Sequence, residues 1–211
     1  MKKDPKQAIL TFFKRNDVVL YPYVVLHYES VARTGRRKTS KELFVHLASS
    51  VVSQQLSTKA AQSIWSRLED VCKGSVTPEN LLIKRTTTLR KVGLSEAKCK
   101  TLKELSRGVL AETVDFKKLR TLPPKEAITS LSTVWGIGTW TAEMFLMFAL
   151  EREDVFSSGD LGLIRSMESL YGIPKDSSRN LYEEKALVWS PHRTLASKVL
   201  WKVRDTSSET K

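Results

Sequence analysis

Apolar residues recur three or four positions apart along most of the chain from position 43 onward, which is the spacing of one helical face. Leu43–Gln54 is apolar with small residues interleaved. Thr58–Cys72 carries Ala60, Ala61, Ile64, Trp65 and Leu68 at helical spacing behind Ser57, a helix-capping residue type. Thr77-Pro78-Glu79 reads as a helix start with proline at the first helical position. Thr86–Lys91 is a short helix stopped at Gly93, and Ser95 caps an amphipathic Glu96–Leu110 that ends near Gly108. Pro123-Pro124 opens Lys125–Leu131. The apolar run Glu143–Leu150 continues a helix that begins at Thr139. Leu161–Tyr171 is stopped by Gly172-Ile173-Pro174, and Arg179–Val188 and Pro191–Val203 close the series, leaving a polar tail, Asp205–Lys211. No run of alternating β-branched residues suggests a sheet, and there is no solenoid-type repeat. The pattern therefore predicts an all-α fold, with residues 1–204 as a single domain.

Charge adds to this picture. The chain has 211 residues, 41% of them hydrophobic, and a formal net charge of +12. That length supports one real core, split at most into two lobes, and the charge suits a polyanionic partner, nucleic acid or an anionic membrane. Positive residues cluster twice, as Arg33, Arg36, Arg37, Lys38 and Lys41 around Gly35, and as Lys84, Arg85, Arg90, Lys91, Lys98, Lys100 and Lys103. Each cluster alone is an ordinary solvated face; together they make a phosphate-tracking surface. No stretch is long and apolar enough to span a bilayer, and the charged start has no apolar core of a secretory signal behind it. Cys72 and Cys99 read as reduced thiols of an intracellular protein. They cannot form a cysteine array for zinc or an iron–sulfur cluster, and His27, His46 and His192 lack metal-ligand spacing.

Three places carry candidate chemistry, each with a purely structural alternative. Trp135-Gly136-Ile137-Gly138-Thr139-Trp140 lies between two helical runs. Gly136 and Gly138 would let backbone approach a phosphate, with the outward N–H groups of the following helix behind them; the alternative is a tight turn between packed helices. Ser53-Gln54-Gln55-Leu56-Ser57-Thr58-Lys59 is a turn between helices. There Leu56 could wedge into a base stack and Gln55 could meet a base edge, or Leu56 could simply be a core residue. Asp160 opens the Leu161–Tyr171 helix. It is a natural N-cap, and a carboxylate fixed there could also face a developing cation.

In this order and spacing, the residues resemble the helix-hairpin-helix DNA glycosylase superfamily, nearest to its alkylpurine (3-methyladenine) branch. The likeness covers roughly residues 40–203. It rests on Ser53–Leu56 with Lys59-Ala60-Ala61, on Gly136–Ala142, on Asp154-Val155-Phe156 with Asp160–Leu163, and on Trp189-Ser190-Pro191-His192-Arg193. The resemblance implies two helical lobes with a cleft between them, duplex DNA across the hairpin, and one nucleotide rotated into the cleft.

By the same resemblance Asp160 matches the catalytic aspartate, and Leu56, flanked by Gln55 and Ser57, the minor-groove wedge. Gly136, Gly138, Thr139 and Lys59 match phosphate contacts, and Trp140, Trp189 and His192 line the base pocket. No cofactor is required. A monovalent Na+ or K+ held by the carbonyls of Ser132, Val134 and Ile137 is the one ion implied. Position 140 is Trp, where strand-nicking relatives carry a Schiff-base lysine. The expectation is thus a monofunctional enzyme releasing alkylated purines from duplex DNA, acting as a monomer with no membrane partner, in the nucleus of a eukaryote or the nucleoid of a bacterium. The alternative is a weak or inactive binder of abasic or damaged DNA on the same fold. Gly159, where some relatives have a second Asp, and His192, where an aromatic is frequent, keep that alternative open.

Overall fold

A computed structural model describes residues 4–33 and 35–208. Among them every regular element is helical, as expected. In chain order they are α1 (Pro5–Asn16), α2 (Tyr21–Val31), α3 (Ser40–Ser53), α4 (Thr58–Val71), α5 (Pro78–Leu82), α6 (Thr86–Lys91), α7 (Glu96–Leu110), α8 (Phe116–Leu119), α9 (Pro124–Ser132), α10 (Thr139–Met144), a π-helical turn (Phe145–Ala149), α11 (Leu161–Tyr171), α12 (Arg179–Leu187) and α13 (Arg193–Ser208). None of the described helices is long and apolar enough to cross a membrane. The chain divides into two compact units, one made of Met1–Gly35 with Glu151–Lys211, the other of Arg36–Leu150.

In the continuous unit, α3 buries Leu43, Phe44, Leu47, Ala48, Val51 and Val52, the i, i+4 stripe of an amphipathic helix. Each such aliphatic side chain contributes on the order of 2 kcal/mol by leaving water. Cys99, Leu102 and Leu105 of α7 and Leu131 of α9 are also fully buried. Cys72 and Cys99 are free, buried thiols, and burial pushes both above the ordinary thiol range. The start of α3 is fixed by a capping box: the Thr39 hydroxyl accepts the Glu42 N–H, and the Glu42 carboxylate accepts the Thr39 N–H at 2.7 Å.

The helix predicted over Thr139–Leu150 is not α throughout. Its second half is a π-helical turn in which the Leu150 N–H donates to the Phe145 carbonyl. Consecutive residues rotate less in this wider ring, so Phe145, Leu146 and Met147 can all face inward, and all are buried.

The discontinuous unit packs α1 and α2 with α11 and α13 around Phe13, Leu20, Val24, Leu163, Met167, Tyr182, Trp189 and Leu200. α1 and α2 lie before Leu43, where periodicity predicts no element. α2 exposes Val25 and Leu26 while burying Val24 and Tyr28, so it presents no clean apolar stripe. Asp17 is the polar node of this core. Its carboxylate accepts the Trp189 indole N–H at 2.7 Å, the Tyr171 hydroxyl at 2.7 Å and the Leu20 N–H at 2.9 Å. Burial, then the bond to Asp17, pushes the Tyr171 phenol far above its usual value. α13 begins two residues later than predicted and runs to Ser208, so the first part of the expected polar tail is helix. Residues 209–211 of that tail, and 1–3 of the charged start, lie outside the described residues.

Two outcomes follow. Asp17→Ala leaves the Tyr171 and Trp189 donors without their acceptor in a buried site and should cost about 3 kcal/mol, lowering Tm by roughly 10 °C in calorimetry. Glu42 is held at a pKa of about 2, against an ordinary 4.5, by the Thr39 N–H, then the Arg36 guanidinium, then the Thr39 hydroxyl. Its folded value lies below the unfolded one, so its stabilisation is complete above about pH 4.5 and disappears as pH falls through about 2. Glu42→Gln should therefore show a smaller fall in Tm than the parent protein across that window in thermal melts.

Candidate functional site

The turn between α3 and α4 is built to present a side chain. At the end of α3, the Lys98 ammonium donates to the carbonyls of Val52 and Gln54, both at 2.7 Å. A cation suits a helix C-terminus, whose last carbonyls lack internal partners, and burial lowers the pKa of this lysine. Gln55 then takes a left-handed backbone, φ 56°, which costs a non-glycine residue about 1 kcal/mol or more. The reversal places Leu56 at the tip with 39% of its surface exposed. Ser57 caps α4 by accepting the Ala60 N–H, and Lys59 is exposed in the first turn of that helix.

The hairpin between α9 and α10 is tied to this turn. The Gln54 side-chain amide donates to the Gly136 carbonyl at 3.4 Å and to the Thr141 hydroxyl at 3.2 Å. The buried side chains of Val134 and Ile137 anchor the hairpin from below, and the Ile137 N–H donates to the Val134 carbonyl at 3.0 Å. The two glycines differ. Gly136 has φ 84°, and a Cβ there would overlap the Thr101 hydroxyl; Gly138 has ordinary backbone and open space where its Cβ would stand. The fold itself requires Gly136, whereas Gly138 leaves the uncapped start of α10 bare. Thr139 is exposed there, and Trp140 is 48% exposed. Trp135, at the hairpin tip, carries the Lys100 ammonium 4.2 Å over its ring.

In the discontinuous unit, Asp160 is the N-cap of α11. Its Oδ1 accepts the Leu163 N–H at 2.9 Å and the Trp201 indole N–H at 3.0 Å. The approach to Asp160 is clamped to α13. Arg193 grips Asp154 with Nε at 2.7 Å and Nη2 at 3.0 Å, Ser190 donates to the same carboxylate at 2.9 Å, and the Val155 N–H donates to Thr194. Burial pushes Asp154 up, but the Arg193 and Ser190 bonds outweigh it and hold the carboxyl below the usual range.

The segment Trp189–Arg193 is thus largely a structural fastener. Trp189 is corrected as a pocket residue: it is 0% exposed, and its indole N–H is bonded to Asp17, so no ligand base can reach it. His192 is half-buried with its ring edge on Phe12, 5.0 Å between centroids, and burial lowers its pKa.

Much of the predicted phosphate-tracking charge has partners in the protein. Arg33 pairs with Glu151 and Glu153, and Arg36 with Glu42. Lys38 donates to the Phe148 carbonyl. Among the described residues no cluster of three or more His, Cys, Asp or Glu side chains could hold a metal ion.

Sequence reasoning missed Gln54 as the tie to the hairpin, Lys98 as a helix-end cation, and Trp201 as the partner of Asp160. The first was legible as a polar residue repeated inside the turn. The other two depend on contacts made 44 and 41 residues away along the chain, which no local signal shows.

The contrast between the glycines is testable. Gly136→Ala should lower stability by about 2 kcal/mol, from its positive φ and its overlap with Thr101. Gly138→Ala meets no such overlap and should cost at most about 1 kcal/mol, that of alanine at a helix N-cap, as read by thermal melts.

Comparison with known proteins places the chain in a family. The family model described as "HhH-GPD superfamily base excision DNA repair protein" matches residues 48–192. DNA-3-methyladenine glycosylase 1 of Schizosaccharomyces pombe is 31% identical over 182 residues, covering 85% of this chain and 80% of the relative. The crystal structure of a DNA-3-methyladenine glycosidase from Bacillus halodurans is similar with a TM-score of 0.81 and 33% identity, over 98% of this chain and 92% of that one. A 3-methyladenine DNA glycosylase of S. pombe in complex with abasic DNA gives 0.73 and 27%, over 92% and 95%. The chain belongs to the HhH-GPD superfamily of base excision DNA repair proteins, on its 3-methyladenine DNA glycosylase branch.

Proposed function

We propose that the protein is a monofunctional glycosylase that flips alkylated purines out of duplex DNA and hydrolyses their N-glycosidic bond, leaving an abasic site. The observation that carries this reading is Asp160, a carboxylate held on α11 by the Leu163 N–H and the Trp201 indole. An N-alkylated purine is often already cationic, so its leaving group needs little help and the barrier lies in the sugar as it gains oxocarbenium character. A carboxylate about 4 Å from that charge, at an effective dielectric near 20, contributes on the order of 4 kcal/mol, roughly a thousandfold in rate. Asp160 also orients or deprotonates the attacking water.

The other residues serve recognition. Leu56, at the tip of its turn, fills the gap left by the extruded base, with Gln55 and Ser57 against the minor groove. Flipping costs least at damaged pairs, one source of selectivity. Trp140 stacks on the base, and a cationic ring gains attraction to the indole face; His192 is a second ring offered to the base. Trp140 has no amine to attack the sugar, so no Schiff base forms and the strand is not nicked. Gly138, Thr139 and Lys59 contact backbone phosphates without reading sequence.

A monovalent cation fits the hairpin chemically. Ser132, Val134 and Ile137 offer neutral carbonyl oxygens, and that of Val134 keeps a second lone pair after accepting the Ile137 N–H. Such an ion would add positive charge for a phosphate. The reading gives a monomer working where genomic DNA is kept, the nucleus in a eukaryote or the nucleoid in a bacterium.

The test is base release from duplexes carrying 3-methyladenine, 7-methylguanine, ethenoadenine or hypoxanthine. Asp160→Asn should keep its affinity for an abasic-site duplex within about twofold and lose about a thousandfold in single-turnover release. Release by the variant at the parental rate would overturn the mechanism. A parent protein that binds abasic DNA and releases no base would point to a damage binder instead.

A further inference from the structure

Gly162 is the second residue of α11, beside the N-cap Asp160. Its backbone needs no glycine, since it does not lie in the positive-φ region, and a glycine in a helix costs about 0.5–1 kcal/mol relative to alanine. What the glycine provides is room. At the point where its Cβ would stand, the Arg204 guanidinium is in contact, with Cζ 3.3 Å away, and Asp160 Oδ1 is 3.0 Å away. The cation and the carboxylate therefore converge on one small volume that only a missing side chain leaves open. Arg204 follows Trp201 by three residues on α13, which places both on one face of that helix. Trp201 already donates to Asp160 Oδ1.

From this we infer that Arg204 is a positioning residue for Asp160, admitted by the glycine at 162. The inference rests on the reading of Asp160 as the reacting carboxylate. The Leu163 N–H and the Trp201 indole hold Oδ1, and the guanidinium shares with that oxygen the space left by Gly162. A carboxylate gripped on one oxygen loses its rotation about Cβ–Cγ, so its orientation is set before substrate arrives.

Three variants test the inference: Arg204→Gln, Arg204→Lys and Gly162→Ala. Each is measured by single-turnover release of 7-methylguanine from duplex DNA at saturating protein, and by affinity for an abasic-site duplex. Arg204→Gln should slow release about tenfold with affinity held within twofold, and Arg204→Lys should recover part of the rate. Gly162→Ala keeps Arg204 but pushes its flexible end out of the shared volume, so it should slow release to a similar degree. Alanine favours the helix there, so that loss would not come from a failure to fold. Parental release by Arg204→Gln or by Gly162→Ala overturns the inference. So does a loss of affinity at an unchanged release rate, which would make Arg204 a phosphate contact. Failure of the underlying reading shows separately, as parental release by Asp160→Asn.

Discussion

The start of α11 is the constraint on which the proposed chemistry depends. A helix begins with N–H groups that have no partner inside it, and in this chain a carboxylate supplies the acceptor. The same negative charge that closes the helix end is the charge proposed to face the sugar. On that proposal, structural and catalytic demands fall on one side chain rather than being traded against each other. The indole of Trp201 strengthens the arrangement from α13, and the fork between Arg193 and Asp154 fixes the strand of chain leading in.

The continuous unit solves a different problem, which is to hold two loops as one surface. Gln54 bridges the wedge turn and the hairpin, and Lys98 stops α3 where the turn must begin. Neither residue reads DNA in this account; both fix the geometry of residues that would. A lysine from one of the two basic clusters of the sequence thus closes a helix end within the protein. That is why net charge overstates the number of cations available to a polyanion.

Much of this was legible in advance. The bounds of α6, α7 and α11 follow from Ser95, Gly172 and the apolar stripes, because caps and stops are local chemistry. Asp160 as a cap and Leu56 as a loop-tip leucine were also readable, whereas the different roles of Gly136 and Gly138 were not, since they depend on Thr101. Trp189 was not. In sequence it is one aromatic in a family segment, and its role is decided by Asp17, 172 residues away. α1 and α2 were missed for a related reason. Their burial is set by α11 and α13, which come last in the chain, and α2 lacks the one-sided pattern that periodicity detects. The π-helical turn was invisible because its apolar run reads equally well as α.

The interleaving of the two units bears on how the protein is made. Arg36–Leu150 is one uninterrupted segment, so its core is complete once that stretch has left the ribosome. α1 and α2 emerge first, but α2 packs with α13, at the other end of the chain, and α1 packs on α2. They must wait through the synthesis of about 160 intervening residues with apolar faces uncovered, a period in which a chain is open to aggregation. During translation the half that carries the hairpin matures early, and the half that holds Asp160 closes last. A ribosome stalled before α13 would release a product with a finished hairpin and no seat for its acid.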